Sequence, residues 1–358
     1  MIKRKPFSNI NFRFAEFKSL YLTGLASFLI VTFSFIIPLS VDIDNQIASN
    51  NNSKINSSKT DFQKVLSGEG IDDKEKVDEG LDLSNMLEDV FKFDELPDDT
   101  VRLSASTIEQ LFKDTNYSLS EVRRTKKVKP IRLSLLPNEM KSIESSDKRK
   151  SLFIKIILPL VLEENNRIII DRKKLFSILN KNKNSKDEIK WLNQKFKQYG
   201  VLNKDLATLK VRMDIIPTSL AIAQAAKETG WGTSRFAIEG NALFGQWTWS
   251  GEGIKPAGAD TDATYKVMKF NVLKASVRAY QRNLNTHSSY KKFRFVRAQL
   301  RDDNKELDSL KLADYLENYA QTGTEYTKVL KQIIQQNQLK DFDEVKLLPL
   351  SVKYKNII

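Results

Sequence analysis

The pattern of apolar and polar positions predicts a mostly helical domain in the second half of the chain. In six segments apolar side chains recur every three or four residues, as they do on one face of an α-helix. These segments are Ser151–Leu162, Ile168–Asn180, Asp187–Tyr199, Val272–Asn285, Leu307–Tyr319 and Thr327–Gln338. A further helix is predicted over Thr218–Thr229, because Pro217 suits the first helical position and Gly230 ends the run.

The N-terminus has a different pattern. Residues 19–41 are apolar and uncharged, and about 20 such residues span a bilayer as a helix. Lysines and arginines precede this run and Asp42 follows it, so the positive-inside rule predicts a cytoplasmic basic tail over 1–18 and export of the rest of the chain. A cleaved signal peptide is the alternative, but Ile47-Ala48-Ser49 matches a cleavage site poorly. We therefore predict an uncleaved transmembrane signal anchor.

The segment after the anchor carries blocks of charge. It is acidic over 69–99 and basic over 122–150, and such blocks are typical of solvated linkers. The sequence therefore predicts a largely disordered, flexible linker over 42–147. A folded domain over 148–343 and a C-terminal tail over 344–358 would follow it.

Composition narrows the class of function. The 358 residues include no cysteine and one histidine, which excludes cysteine-based metal or thiol sites and a multi-histidine zinc site. We interpret His287 as a polar loop residue and predict neither a metal nor a cofactor. The net charge of +13 would suit nucleic acid, anionic lipid or an anionic polymer. Export excludes nucleic acid and leaves anionic lipid and an anionic polymer as the expected partners.

Glu228 is the strongest candidate for acid chemistry. It lies in the last turn of the predicted helix, where Ala221, Gln224 and Ala225 share its face and leave room for a substrate. The negative end of the helix dipole and desolvation both disfavour the charged carboxylate, so its pKa is expected to be raised. A carboxyl group that stays protonated near neutral pH can donate its proton to a glycosidic oxygen. A solvated helix end is the alternative interpretation.

Aromatic residues follow Glu228 closely. Three of the four tryptophans, Trp231, Trp247 and Trp249, fall within a short span. Aromatic faces suit stacking on sugar rings, so all three are candidate substrate-binding residues. Trp247 and Trp249 are the better candidates, because Trp231 also suits the core. Phe236 and Phe244, in the same span, are expected in the core.

These motifs resemble the glucosaminidase family, glycoside hydrolase family 73, whose members cut the glycan strands of bacterial peptidoglycan. The resemblance rests on Gln224–Gly232, Asn241–Gly245 and Tyr319-Ala320 with Tyr326, and the stretches Thr233–Phe236 and Ser276–His287 are similar to the Bax-type proteins of Gram-negative bacteria. It covers roughly residues 148–343. No single one of these motifs identifies the family, but all of them together do.

The resemblance implies a mainly α, lysozyme-like α+β domain with a small β-lobe. It also implies that Glu228 is the catalytic acid and that Tyr319, across the cleft from it, is a second catalytic residue that would orient the 2-acetamido group or stabilise charge. A packed core tyrosine is the alternative interpretation of Tyr319. The remaining substrate-binding candidates are Gln224, Asn241, Tyr290 and Tyr326.

One departure from the family concerns the second acid. Many members carry a second carboxylate in the β-lobe, whereas the comparable strand here contains Lys266. The nearest carboxylates, Glu252, Asp260 and Asp262, lie in the preceding loop and are candidates for that role, although each also suits a solvated turn. Carboxyl groups about 5 Å apart would indicate retention and about 6.5–9.5 Å inversion, while attack by the substrate's own 2-acetamido group needs no second carboxylate.

The sequence thus predicts a membrane-anchored peptidoglycan hydrolase of the endo-β-N-acetylglucosaminidase type. It would be held in the inner membrane by a single span, with its catalytic domain in the periplasm and the glycan strands as its substrate. A lytic transglycosylase is one alternative, because it also needs one acid and an aromatic cleft. A catalytically inactive wall-binding or scaffold protein is the other, since Lys266 replaces the expected acid.

Overall fold

The computed structural model describes residues 90, 100–248, 253–257 and 264–349, which belong to a compact unit that begins at Asp82. The predicted anchor over 19–41 lies outside these residues. The described part is mainly helical with a few short strands, in agreement with the predicted fold class. Its helices include none that combines the length and the apolar character needed to cross a bilayer.

The elements are numbered in chain order. The α-helices are α1 Ala105–Asp114, α2 Leu119–Thr125, α3 Ser146–Leu179, α4 Lys186–Gln198, α5 Leu206–Arg212, α6 Thr218–Thr229, α7 Arg235–Gly240, α8 Leu273–Thr286, α9 Lys291–Asp302, α10 Ser309–Ala313 and α11 Thr324–Gln336. The strands are β1 Lys127–Val128, β2 Trp247–Thr248, β3 Gly253–Ile254, β4 Lys266–Met268 and β5 Lys346–Leu347. Short 3₁₀ helices cover Asn138–Ser142, Ser288–Tyr290, Asp314–Tyr319 and Leu339–Phe342.

Helix α6 lies at the centre of the fold. Ten of its 12 residues are buried, so the helix is enclosed on nearly all sides. Its alanines allow close approach by α3, α11 and the 3₁₀ helix Leu339–Phe342. The helix ends as predicted, because Gly230 adopts a left-handed conformation with φ +58° and donates its N–H to the carbonyl of Ala226.

Helix α3 is longer than the sequence pattern predicts. It joins the two predicted segments Ser151–Leu162 and Ile168–Asn180 into one helix of 34 residues. The polar residues between these segments do not interrupt the helix, and two of them, Glu164 and Asn165, are buried and paired. Asn165 bonds the backbone of Ile216, and Glu164 accepts hydrogen bonds from Arg278.

The pair between Glu164 and Arg278 fastens α3 to α8. Both side chains are almost fully buried, at 0% and 4% exposed, and the guanidinium donates from Nε at 2.9 Å and from Nη2 at 2.7 Å. Burial acts to raise the pKa of Glu164, but the hydrogen bond from Arg278 and the nearby positive charges outweigh it and hold the pKa below its ordinary value. The carboxylate is therefore charged at neutral pH.

The structure differs from the predicted linker over residues 100–147. There α1 and α2 pack Ile108, Phe112 and Val122 into the main core, and β1 pairs in parallel with β5. The interpretation of this segment from its blocks of charge overlooked α1, in which Ala105, Ile108, Leu111 and Phe112 recur every three or four residues behind a serine cap, while α2 is only seven residues long. The same pairing brings the start of the predicted C-terminal tail, including the buried Val345, into the domain.

The small β-lobe is a three-stranded antiparallel sheet in the order β2-β4-β3. Trp247 and Ile254 both pair with Val267 of the central strand. A backbone hydrogen bond from Phe270 to Gly240 at 2.8 Å ties the lobe to the end of α7. The lobe thus lies next to the segment that follows Glu228 in the chain.

Candidate active site

Glu228 lies in the last turn of α6, as predicted, and its side chain is half-buried. One carboxyl oxygen, Oε2, faces Gly245, where an added Cβ would lie 3.4 Å from it. Gly245 has φ +61°, a conformation that favours glycine. Because glycine has no side chain, the turn leaves open the space beside Oε2 that a Cβ at this position would contact.

A chain of hydrogen bonds leads to Glu228 from the protein interior. Tyr280 of α8 donates its hydroxyl to Oε1 of Gln224 at 2.7 Å, and Nε2 of Gln224 donates to the hydroxyl of Tyr326 at 3.1 Å. Tyr326 is in turn hydrogen-bonded to the Glu228 carboxyl group. The oxygen of Tyr326 accepts a hydrogen bond from the Gln224 amide, so the hydroxyl proton of Tyr326 is directed toward Glu228.

Tyr319 forms one side of this aromatic cluster. Its ring stacks on Tyr326 with centroids 5.5 Å apart, and the centroid of the Tyr290 ring lies 5.9 Å from that of Tyr319. The Tyr319 hydroxyl donates to the carbonyl of Phe244 at 2.9 Å. It therefore holds the turn beside Glu228, and in this arrangement its proton is directed at the protein backbone.

The electrostatic environment of Glu228 favours its protonated form. Burial raises the pKa of its carboxyl above the ordinary value, while the hydrogen bond from Tyr326 and the charge of Lys227 oppose that rise. The direction agrees with the prediction. A protonated carboxyl near neutral pH is the state that a general acid needs.

The tryptophans occupy different environments. Trp231 is half-buried, with its ring edge-on to Phe153 at 5.9 Å, and its φ of +61° is unusual for a bulky residue. Trp247 is 47% exposed on β2, where it contacts the ring of Tyr265. Trp247 is thus the more accessible of the two for a sugar ring, while Trp249 lies outside the described residues.

Two further predicted substrate-binding residues serve structural roles. The side chain of Asn241 is buried and donates to the carbonyls of Phe270 and Asn271 in the β-lobe. Gln224 is fully buried within the hydrogen-bond chain described above. Neither side chain reaches the protein surface, where a substrate could contact it. Phe244 is in the core as predicted, and Phe236 is half-buried.

The candidates for a second acid, Glu252, Asp260 and Asp262, also lie outside the described residues. Lys266 is half-buried on the central strand β4. Within the described residues no group of three His, Asp or Glu side chains could hold a metal ion. His287 is half-buried and caps a 3₁₀ helix by accepting from the backbone N–H of Ser289. This agrees with the interpretation of His287 as a loop residue.

Sequence reasoning missed Tyr280 and the role of Gly245. Tyr280 lies on the buried face of α8, where a tyrosine reads as an ordinary core residue. Its fully buried ring stacks on Phe244 at 3.8 Å, and its hydroxyl therefore needs an internal partner. The sequence could have indicated that a buried tyrosine hydroxyl needs a hydrogen-bond partner, but only the fold identifies that partner as Gln224.

Comparison with known proteins supports the family resemblance. Residues 203–339 match the glucosaminidase family model, described as mannosyl-glycoprotein endo-beta-N-acetylglucosaminidase. The chain is 35% identical over 214 residues to Protein bax of Escherichia coli (strain K12), and the match covers 57% of this chain and 75% of that protein. No solved structure matches the chain significantly. The matched region contains α6, the β-lobe and the tyrosine cluster.

Proposed function

Because the chain belongs to the Bax-type glucosaminidase family, we propose that it is an endo-β-N-acetylglucosaminidase that cleaves peptidoglycan glycan strands with Glu228 as general acid. Membership of this family makes the chain a glycoside-hydrolase-like enzyme that acts on peptidoglycan. The observation that supports the specific role is the half-buried Glu228 carboxyl, whose pKa is raised and which lies beside an aromatic cluster.

In the proposed reaction the protonated Glu228 donates its proton to the oxygen of the scissile glycosidic bond as that bond breaks. Charge on the departing oxygen is thereby neutralised. Water then adds to the anomeric carbon, either directly or after the substrate's own 2-acetamido group has attacked it, and the proton released by that water restores the protonated Glu228. Trp247, exposed on the β-lobe, is a surface on which a sugar ring can stack. The turn at Gly245 leaves space beside the carboxyl oxygen.

The decisive experiment compares full-length wild-type protein with Glu228→Gln on purified peptidoglycan, with product ends identified by mass spectrometry. The amide keeps the shape but has no acidic proton, so we expect cleavage to be abolished while the fold and glycan binding are retained. Glu239→Gln is the matched control, because Glu239 is 55% exposed on α7 and its ion pair with Arg235 lies on the helix surface.

The products distinguish the candidate reactions. New N-acetylglucosamine reducing ends support the proposal, and anhydromuramic ends would indicate a lytic transglycosylase. Absence of products with the wild-type protein would indicate the non-catalytic scaffold. Substantial hydrolysis by the Glu228→Gln variant would exclude this residue as the acid.

We also propose that residues 19–41 anchor the protein in the inner membrane with the catalytic domain in the periplasm. The support is the length of the apolar run and the charges that flank it. Full-length protein should remain in the membrane fraction at high salt, which releases proteins held only by electrostatic attraction. A shortened soluble form that begins near residue 50 would contradict the anchor.

A further inference from the structure

A groove outside the Glu228 site contains an unusual concentration of positive charge. Its volume is about 520 Å³, within the range of pockets that hold a small molecule or a short segment of chain. Cationic side chains line it from three helices: Arg172 and Lys173 from α3, Lys210 from α5 and Arg301 from α9. The ring of Phe176 adds an apolar wall, with the Arg172 guanidinium over its face at 5.2 Å.

The base of this groove, hereafter the Arg172 groove, has more positive than negative charge. The carboxylate of Asp214 is 3.2 Å from Arg301 and 3.8 Å from Arg172, and it also attracts the fully buried Arg297. The three guanidinium groups thus share this carboxylate, while Asp302 adds a second negative charge near Arg172 and backbone carbonyls accept hydrogen bonds from Arg172 and Arg297. Burial lowers the pKa of Arg297 to about 10, and the neighbouring arginines contribute to that shift. Such a cluster would be stabilised by a further anion.

The outer part of the groove adds charge that solvent can reach. Lys173 is exposed, and Lys210 is 41% exposed at 3.4 Å from Asp302. The two lysines and Asp302 together give the rim a net charge of +1. An anionic group entering the groove would therefore meet mobile cations at the rim and fixed ones at the base.

The groove and the Glu228 site lie at opposite ends of the same helix. Asp214 comes just before α6, and Glu228 lies in its last turn. A helix of 12 residues is about 18 Å long. An extended peptide of five residues spans about 17 Å. Because α6 is enclosed by its neighbours, a peptide that branches from a glycan held at Glu228 would have to follow the protein surface around the helix, so the groove would meet stem peptides from repeats farther along the strand.

We propose that the Arg172 groove binds the carboxylate-bearing stem peptides that branch from peptidoglycan glycan strands, and so favours substrate that still carries them. The inference rests on the proposed function and names a second contact with the same polymer. A concave groove with charged walls suits a narrow acidic peptide better than a flat bilayer surface.

The test measures cleavage by full-length protein of two substrates, intact peptidoglycan and the same glycan after an amidase has removed its stem peptides. The variant is Lys173→Gln with Lys210→Gln, both exposed positions whose change leaves the buried cluster intact. The matched control is Lys311→Gln with Lys340→Gln, which removes the same charge elsewhere. Lys340 is 50% exposed and 3.3 Å from Asp308, closely resembling Lys210 beside Asp302.

We expect the groove variant to lower kcat/KM on intact peptidoglycan by about threefold to tenfold, the range for loss of two exposed ionic contacts, mainly through a higher KM. Its activity on peptide-free glycan should equal that of wild type, and the difference between substrates should shrink at high salt. The control variant should behave as wild type on both.

Equal losses on the two substrates, or no loss on either, would overturn the groove assignment. Unchanged activity on both is also the result expected if the groove met an anionic lipid surface instead. If wild-type protein cleaves neither substrate, the proposed function itself fails, so the two failures can be told apart.

Discussion

Replacement of Tyr326 by phenylalanine tests how the structure controls the acidity of Glu228. Tyr326 is 2% exposed and donates a hydrogen bond to the Glu228 carboxyl group. A hydrogen bond to a charged group stabilises it by about 1.5–3 kcal/mol, and one pKa unit corresponds to about 1.4 kcal/mol. In the wild type Tyr326 also contacts the protonated carboxyl, so only part of this stabilisation favours the charged form over the protonated one. We therefore expect Tyr326→Phe to raise the pKa of Glu228 by about one unit.

The sign of the effect follows from the role proposed for Glu228. A general acid is active when protonated, so activity is full below its pKa and falls as pH rises through it. A higher pKa should therefore move the alkaline limb of the pH profile of kcat/KM upward by about one unit. The assay is the initial rate of reducing-end formation on soluble glycan fragments across a range of pH.

Tyr117→Phe is the matched control for this experiment. Tyr117 is also buried and donates its hydroxyl to a backbone carbonyl, that of Lys155, at 3.0 Å. Both variants should lose roughly 1 kcal/mol of stability, the usual cost of one hydrogen bond. Only Tyr326→Phe should move the alkaline limb. An unchanged limb in a folded, active Tyr326→Phe protein would refute the reasoning.

Two further predictions concern the second acid and the core. If Lys266 occupies the position of the second acid, Glu252→Gln, Asp260→Asn and Asp262→Asn should each keep activity within about tenfold, a barrier change of roughly 1.4 kcal/mol, and a loss of several hundredfold in any one would indicate a two-carboxylate mechanism. Glu164→Gln should leave Arg278 buried without its counter-charge and cost about 3–5 kcal/mol, seen as a fall in Tm of roughly 10 °C. A Tm within 2 °C or so of wild type would contradict the importance of that pair.

Local sequence determined the central helix and the position of the candidate acid. Gly230 ends α6 because it adopts the left-handed conformation without strain, and this places Glu228 in the last turn. The raised pKa of Glu228 also followed from its position, although burial is its main cause. The glycine and aromatic residues after the helix were sufficient to indicate a site. Such features depend on neighbours within a few residues, so they can be read from a chain without its fold.

Tertiary structure alone decided which groups surround Glu228. Tyr280, Gln224 and Tyr326 come from three helices, and their hydrogen bonds exist only because α8 and α11 bring the two tyrosines to α6. The folding of residues 100–147 likewise depends on a partner surface, since α1 and α2 are short helices whose apolar residues pack into the main core. The charge cluster at Asp214 joins α3 and α9 across 129 positions, from Arg172 to Arg301. Pairing of this kind depends on packing between distant segments, and local patterns of apolar and polar residues carry no information about it.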